Sequence, residues 1–371
     1  MEVVPLFMQL AAIQSPSGGE REVADYVRGQ LAQIGVHAEE DGFAGSGGTG
    51  NLYCRLGDPQ PGRGLLFCAH LDTVPPTCGV VPTVEGGVLR NSAGSILGAD
   101  NKAAVAVLLV ALRRLLDERV SHPGVELLFT VQEELGLQGS KAFDFSRVEA
   151  TAGFVLDDAS PVGSVIVGAP FQENVIVTFL GRAAHAGLEP ELGRSAILAA
   201  ARAISTMRHG RIDERSTVNV GVIGGGTARN VVPDRCTLEV DIRSFDGPAA
   251  RALVHECLAD CDAAAAAAGC AVEHETFEGY PGYQLDDDSL PVRLSTAAMR
   301  DCGHAPTLVV SGGGVDANVL NARGIPTVNL GNGMQRIHTS EEHIATRDLE
   351  AMVDVTMAII GAASAEARIT A

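Results

Sequence analysis

The chain has 371 residues, 46% of them apolar, with no Trp and little Tyr, so it has room for two domains around an aliphatic core. A formal charge of −19 and a sequence pI near 4.9 repel phosphate backbones and argue against a nucleic-acid partner. No apolar stretch approaches a membrane span, and Met1-Glu2-Val3-Val4-Pro5 has an acid where a secretory leader has a basic region, so neither membrane insertion nor export is expected.

Residues 1–35 predict two helices around the break Ser15-Pro16-Ser17-Gly18-Gly19, the second starting near Glu20 with Val23, Tyr26, Val27 and Leu31 at helical spacing. Short strands are expected at 51–55 and 65–70, and an apolar helix at 103–116. Buried strands follow at 125–131 and 153–156. Strands alternating with helices predict an α/β sheet covered by helices on both faces.

Near Pro170 the pattern changes. Strands are expected at 175–179, 217–223, 236–243 and 271–276, with helices at 195–207 and 248–268. That order, β-α-β-β-α-β, is the ferredoxin-like unit. After about Gly282 the α/β pattern resumes: a helix near 289–301, a strand at 307–310, a helix after Gly314, a strand at 327–330 and a last helix near 341–360. The chain therefore divides into a discontinuous domain, 1–172 with 282–371, and an inserted one, 173–281.

Eight Cys are present: Cys54, Cys68, Cys78, Cys236, Cys257, Cys261, Cys270 and Cys302. None forms a C-x-x-C pair, and Cys68 lies in the apolar run Leu65–Ala69. Buried thiols in a reducing, cytoplasmic compartment are expected rather than disulfides. The Gly-rich runs 224–226 and 312–314 lack the Lys-Ser/Thr of a phosphate loop and read as turns.

Five short segments carry the chemistry: His70-Leu71-Asp72-Thr73, Ala99-Asp100-Asn101-Lys102, Glu133-Glu134, Leu156-Asp157-Asp158 and His338-Thr339. Singly, Asp100 reads as a helix N-cap, Glu133-Glu134 as a solvated acidic turn and each His as structural. Together they fall where predicted strands run out, and an open α/β sheet places its site outside the carboxyl ends of its strands. Two His and several carboxylates suit zinc or a similar divalent ion. His70 and Asp72, two apart, are expected to project to one side, so that one binds and the other orients. Of the adjacent Glu133 and Glu134, one is free to ligate while the other acts as a base.

The chain resembles the dinuclear zinc peptidases of the aminopeptidase and carboxypeptidase G type, and among them the peptidase T (tripeptide aminopeptidase) branch. The resemblance rests on Ala69-His70-Leu71-Asp72-Thr73-Val74, Gly98-Ala99-Asp100-Asn101-Lys102-Ala103, Glu133-Glu134-Leu135-Gly136, Gly181-Arg182-Ala183-Ala184-His185-Ala186-Gly187 and His338-Thr339-Ser340-Glu341-Glu342. The Ala-Asp-Asn-Lys-Ala form points to the tripeptidase-like branch.

The resemblance implies one zinc on His70, Asp100 and Asp157, and a second on Asp100, Glu134 and His338, with Asp100 bridging; Co2+ or Mn2+ are alternatives. It implies Asp72 as the residue that orients His70, Glu133 as general base and His185 as an oxyanion donor that often reaches the neighbouring subunit's site. Asn230 and Gly313 would contact substrate, and Arg243 would clamp its carboxylate. The inserted unit would be a lid and homodimerisation domain, closing about hinges near residues 172 and 282. The implied activity is hydrolysis of short peptides by an aminopeptidase. A carboxypeptidase, dipeptidase or N-acyl amino acid deacylase shares the same metals and base. A catalytically lapsed metal- or peptide-binding protein is a further reading, which Glu133 opposes. Two departures bear on specificity: Asp158 stands where the family commonly has Gly, and Val315 replaces a small polar residue before Asp316.

Overall fold

A computed structural model describes residues 2–43, 45, 47–57 and 64–369. The strands in chain order are β1 (Glu39–Glu40), β2 (Leu52–Leu56), β3 (Gly64–His70), β4 (Pro82–Glu85), β5 (Val88–Asn91), β6 (Val125–Thr130), β7 (Ala150–Asp158), β8 (Ser164–Ala169), β9 (Phe171–Leu180), β10 (Gly210–Arg211), β11 (Ser216–Gly225), β12 (Arg235–Ser244), β13 (Ala271–Tyr280), β14 (Tyr283–Gln284), β15 (Thr307–Val310), β16 (Thr327–Gly331) and β17 (His343–Ala345). The helices are α1 (Val3–Ala12), α2 (Arg21–Gln33), α3 (Ala99–Asp117), α4 (Gln138–Ala142), α5 (Ala196–Thr206), α6 (Gly247–Ala268), α7 (Leu290–Asp301), α8 (Asp316–Ala322) and α9 (Thr346–Ile369). Two compact units result: residues 1–168 with 284–311 and 315–371, and residues 169–283 with 312–314.

The first unit is built on a mixed sheet in the order β1-β2-β6-β3-β7-β16-β8, with β15 also paired to β8. Neighbours β6, β3, β7 and β16 run parallel, while β2 is antiparallel to β6, and β8 is antiparallel to β16 but parallel to β15. Every residue of β3 and β6 is buried, as expected for parallel strands covered on both faces. Phe67 and Phe154 stack on adjacent strands, 5.1 Å between ring centroids. Helix α3 is apolar nearly all round and buried from Ala99 to Leu112, the signature of an internal helix. It packs against α1 and α9.

The second unit is an antiparallel sheet in the order β10-β11-β12-β9-β13. Apart from the short edge strand β10, its elements follow the expected βαββαβ order. Cys236, Leu238, Val240 and Ile242 alternate inward along β12 and meet Val175, Val177 and Phe179 of β9 under α5 and α6. Ala196, Ala199, Ala200 and Ala203 line the buried side of α5, so backbone and sheet approach closely. Capping is local: Ser195 accepts from Leu198 N–H at 3.2 Å, and Asp246 from Ala249 N–H at 2.8 Å.

Several expectations need correction. The last helix starts at Thr346, not near Glu341, because His343–Ala345 pairs as a strand with β5. The hairpin β4–β5 was not anticipated, although Gly86 and Gly87, at φ 58° and 80°, form the two-residue turn that its short flanking strands require. Strand β8 was also missed. Its short run Val165-Ile166-Val167 carries no periodicity of its own. All eight Cys are free thiols, but Cys78 is exposed and Cys270 and Cys302 are only partly buried.

Candidate metal centre

His70 ends β3 and Asp157 is the penultimate residue of β7, its parallel neighbour. Glu133 and Glu134 lie just past the end of β6, also parallel to β3. The strand stops at Thr130 rather than continuing to the pair, and Gln132 turns the chain at φ 52°. Parallel neighbours deliver these residues to one edge of the sheet. His338, at φ 62°, comes from the loop between β16 and β17.

Asp100 is the pivot. Its Oδ1 lies 3.0 Å from His70 Nε2 and its Oδ2 lies 3.2 Å from His338 Nε2. Glu134 Oε1 is 3.1 Å from the same His338 nitrogen, and Asp157 Oδ2 is 3.6 Å from His70 Nε2. One ligand atom each from His70, Asp100 and Glu134 falls within 4.8 Å of the others. The expectation that Asp100 also caps its helix is not met: Gly98 is the residue at the cap, and Asp100 and Asn101 have non-helical backbone angles. The buried Glu342 carboxylate accepts the N–H groups of Leu97, Gly98 and Asp100 instead.

The donor set fits a divalent cation. His70 Nδ1–H donates to the backbone oxygen of Asp72 at 2.9 Å, which leaves the Nε2 lone pair facing carboxylate oxygens. Acceptors that face one another in a buried site need a proton or a cation between them. Without a cation the acids and imidazoles perturb each other strongly. His338 is pushed up to about 10 by Asp100 and Glu134. Asp157 is pushed up to about 7 by burial and by Asp100. Glu133 is raised well above the ordinary carboxylate range, chiefly by burial, with His70 opposing and Asp157, Asp316 and Glu134 adding to it. Such crowding of carboxylates is the environment a dication relieves.

Asp72 was expected to share the strand end with His70 and to orient it. Strand β3 stops at His70, and the nearer contact to Nδ1 is the Asp72 backbone oxygen; its carboxylate Oδ1 is 3.5 Å away. The Asp72 carboxylate also holds the neighbouring turn. It accepts from Glu133 N–H at 3.0 Å, Glu134 N–H at 3.2 Å and the Ser17 hydroxyl at 2.7 Å. Asp158 Oδ1 accepts from Ser160 N–H at 2.8 Å, so this extra carboxylate shapes its own turn.

The remaining expected residues belong to the second unit. His185 bridges to Val231, and Ala186 N–H donates to the Asn230 carbonyl at 2.9 Å, so His185 and Asn230 occupy adjoining segments. His185 Nδ1 accepts from Gly187 and Leu188 N–H, both at 3.2 Å. In the neutral ring the proton is therefore on Nε2. Arg243 is held by Asp241 at 2.9 and 3.1 Å and donates to the Gly312 carbonyl at 2.9 Å. Gly313 is the middle residue of the Gly312–Gly314 segment that groups with this unit.

Sequence reasoning missed three supports. Asn329 on β16 grips Asp157 through both its backbone groups, at 2.8 and 2.8 Å. Its signal was a lone amide in the apolar strand Thr327–Leu330. Asp316, buried, accepts from the Thr130 hydroxyl at 2.5 Å and from the Cys68 thiol at 3.5 Å. Glu342 stood in the quoted His338–Glu342 segment without a role.

A family model described as "Peptidase dimerisation domain" matches residues 174–268, and one described as "Peptidase family M28" matches residues 51–168. An uncharacterized protein, YqjE, of Bacillus subtilis is 39% identical over 356 residues, covering 95% of this chain and 96% of that one. The crystal structure of aminopeptidase PepT from Bacillus cereus is similar at 36% identity and a TM-score of 0.90, covering 98% of each chain. That of a tripeptidase from Staphylococcus aureus has 32% identity and a TM-score of 0.94, also covering 98% of each. With the whole chain matched at this identity, and with its acids and imidazoles converging at the strand ends, the chain belongs to the metallopeptidases of the aminopeptidase and carboxypeptidase G type, in their peptidase T-like branch.

Proposed function

We propose that this chain is a dinuclear aminopeptidase that releases residues from the free amino terminus of short peptides. The observation that carries this reading is the division of the Asp100 carboxylate, one oxygen toward His70 and the other toward His338. His70, Asp100 and Asp157 would hold one ion, and Asp100, Glu134 and His338 the other. Zn2+ suits this mixture of imidazole and carboxylate, with Co2+ or Mn2+ as alternatives. Bound divalent ions supply Lewis-acid polarisation of the peptide carbonyl and lower the pKa of water.

The chain's own groups do the rest. Glu133, buried beside the ligands, takes the proton of the attacking water and passes it to the leaving amine. Asp72 holds the turn that carries it. His185 presents Nε2–H as a donor for the oxyanion. Arg243, pre-oriented by Asp241, keeps two N–H groups for a substrate carboxylate. Asn230 and Gly313 line the substrate. Residues 173–281 would be the lid and the homodimer interface, a reading supported by the dimerisation-domain match. Free thiols throughout favour the cytoplasm.

The test is amino-acid release from free, N-acylated and C-amidated di- and tripeptides, with metal and with chelator. Chelator-sensitive cleavage that requires a free amino terminus is expected. Cleavage of N-blocked peptides alone would move the activity to the carboxypeptidase or deacylase class.

A further inference from the structure

Glu342 is 2% exposed, and a buried carboxylate needs partners. Its partners are backbone donors at the entry to α3. Oε2 accepts from Leu97 N–H at 2.8 Å and Gly98 N–H at 2.7 Å, and Oε1 accepts from Asp100 N–H at 2.9 Å. These N–H groups lie just before α3 and in its first turn, where the backbone lacks intrahelical acceptors, and a side chain distant in sequence accepts them. Glu342 also closes the turn that carries His338, since its own N–H donates to the Thr339 carbonyl at 3.1 Å. One carboxylate thus ties the backbone of Asp100 to the loop of His338, and the two side chains meet at 3.2 Å.

We propose that Glu342 is a positioning residue of the metal centre. It sets where the Asp100 carboxylate stands relative to His338, and through that the affinity of the paired ions and the rate of the chemical step. The inference rests on the reading of Asp100 as the bridging ligand. The geometry requires a carboxylate of this length. Three donors converge on two oxygens, and an amide would set its NH2 against one of them. Aspartate, one methylene shorter, cannot reach both Asp100 and the Leu97–Gly98 pair.

The test uses chelator-stripped wild type, Glu342→Gln and Glu342→Asp, titrated with Co2+ and followed by visible absorption. Apoprotein Tm, kcat and KM are measured alongside. The expected result for both variants is Co2+ affinity weaker by about 10- to 100-fold, an altered absorption band at full loading, and a lower kcat at unchanged KM. A purely structural cap would lower Tm and leave Co2+ affinity and spectrum as in wild type, and that result overturns the proposal. If Glu342→Gln does not fold, Glu342→Asp decides by the same criteria. Absence of saturable Co2+ binding in wild type would overturn the metal reading itself, whereas wild-type binding with equal binding in the variants overturns only the role of Glu342.

Discussion

The carboxylate of Asp72 accepts the backbone N–H of Glu133 at 3.0 Å, and so carries the turn on which the proposed base stands. His70 Nδ1 is held at 2.9 Å by the Asp72 backbone oxygen, which no side-chain substitution removes, with the carboxylate at 3.5 Å. Asp72→Ala is therefore expected to leave metal content near wild type and to lower kcat by about 10- to 100-fold. It also leaves the buried Glu133 N–H unpaired, a cost of about 1–3 kcal/mol. Metal content and kcat measured on one preparation separate the two effects. Loss of metal with unchanged turnover per bound ion would show that the carboxylate serves His70 instead.

Glu133→Gln keeps the shape of the side chain and removes only its basicity. Turnover is expected to fall by about 100- to 10,000-fold with both ions retained. Residual activity near wild type would assign the proton transfer to another group.

Metal removal is expected to destabilise the fold as well as silence it. Asp100, Glu133 and Asp157 are buried together, and without a cation their charges repel one another. Ions that bind only the folded chain at about 100 times Kd stabilise it by about 2.7 kcal/mol. Thermal melting with chelator and with added Zn2+ or Co2+ checks this, and a Tm indifferent to metal would count against the site.

Acid sensitivity should have a contribution from outside the candidate ligand set. Glu40 is held down to about 2, first by its hydrogen bond with Arg21. A carboxylate depressed in the folded state stabilises fully above its unfolded value near 4.5, and that contribution disappears as pH falls through about 2. Because Arg21 is substantially exposed, the pair contributes less than about 1 kcal/mol. Urea unfolding of wild type and Glu40→Gln should differ at pH 7 and converge only as pH falls to about 2. A difference that persists or grows in acid would refute the assignment.

His185→Ala and Glu133→Gln are each expected to be inactive alone. If His185 serves the partner's site in a dimer, mixing the two restores part of the activity, because some sites then combine an intact base with an intact donor. No recovery in a verified mixed dimer would mean that each subunit completes its own site.

Much of this was legible in the sequence because burial and periodicity are local properties. The runs Leu65–His70 and Val125–Thr130 are apolar without alternation, and only strands covered on both faces tolerate that. The alternation along Arg235–Ser244 marked a sheet with one open face. His70, Asp100, Glu133, Glu134 and Asp157 stand near element boundaries, which is the position that singled out their segments in the sequence.

What the sequence could not display is how distant backbones are held. Glu342 and Asp100 are 242 residues apart, Asn329 and Asp157 are 172 apart, and Asp72 and Glu133 are 61 apart. Each of these contacts joins a side chain to a backbone N–H, a donor every non-proline residue owns, so residue type gives no hint of the partner. Composition, element order and the candidate segments followed from the chain alone, since they depend on side-chain chemistry and short-range spacing. Which carboxylates converge on the imidazoles, which one holds a turn and which one accepts from the backbone at a helix entry was decided only when the sheet brought its strand ends together, because those relationships depend on distances that exist only in the folded chain.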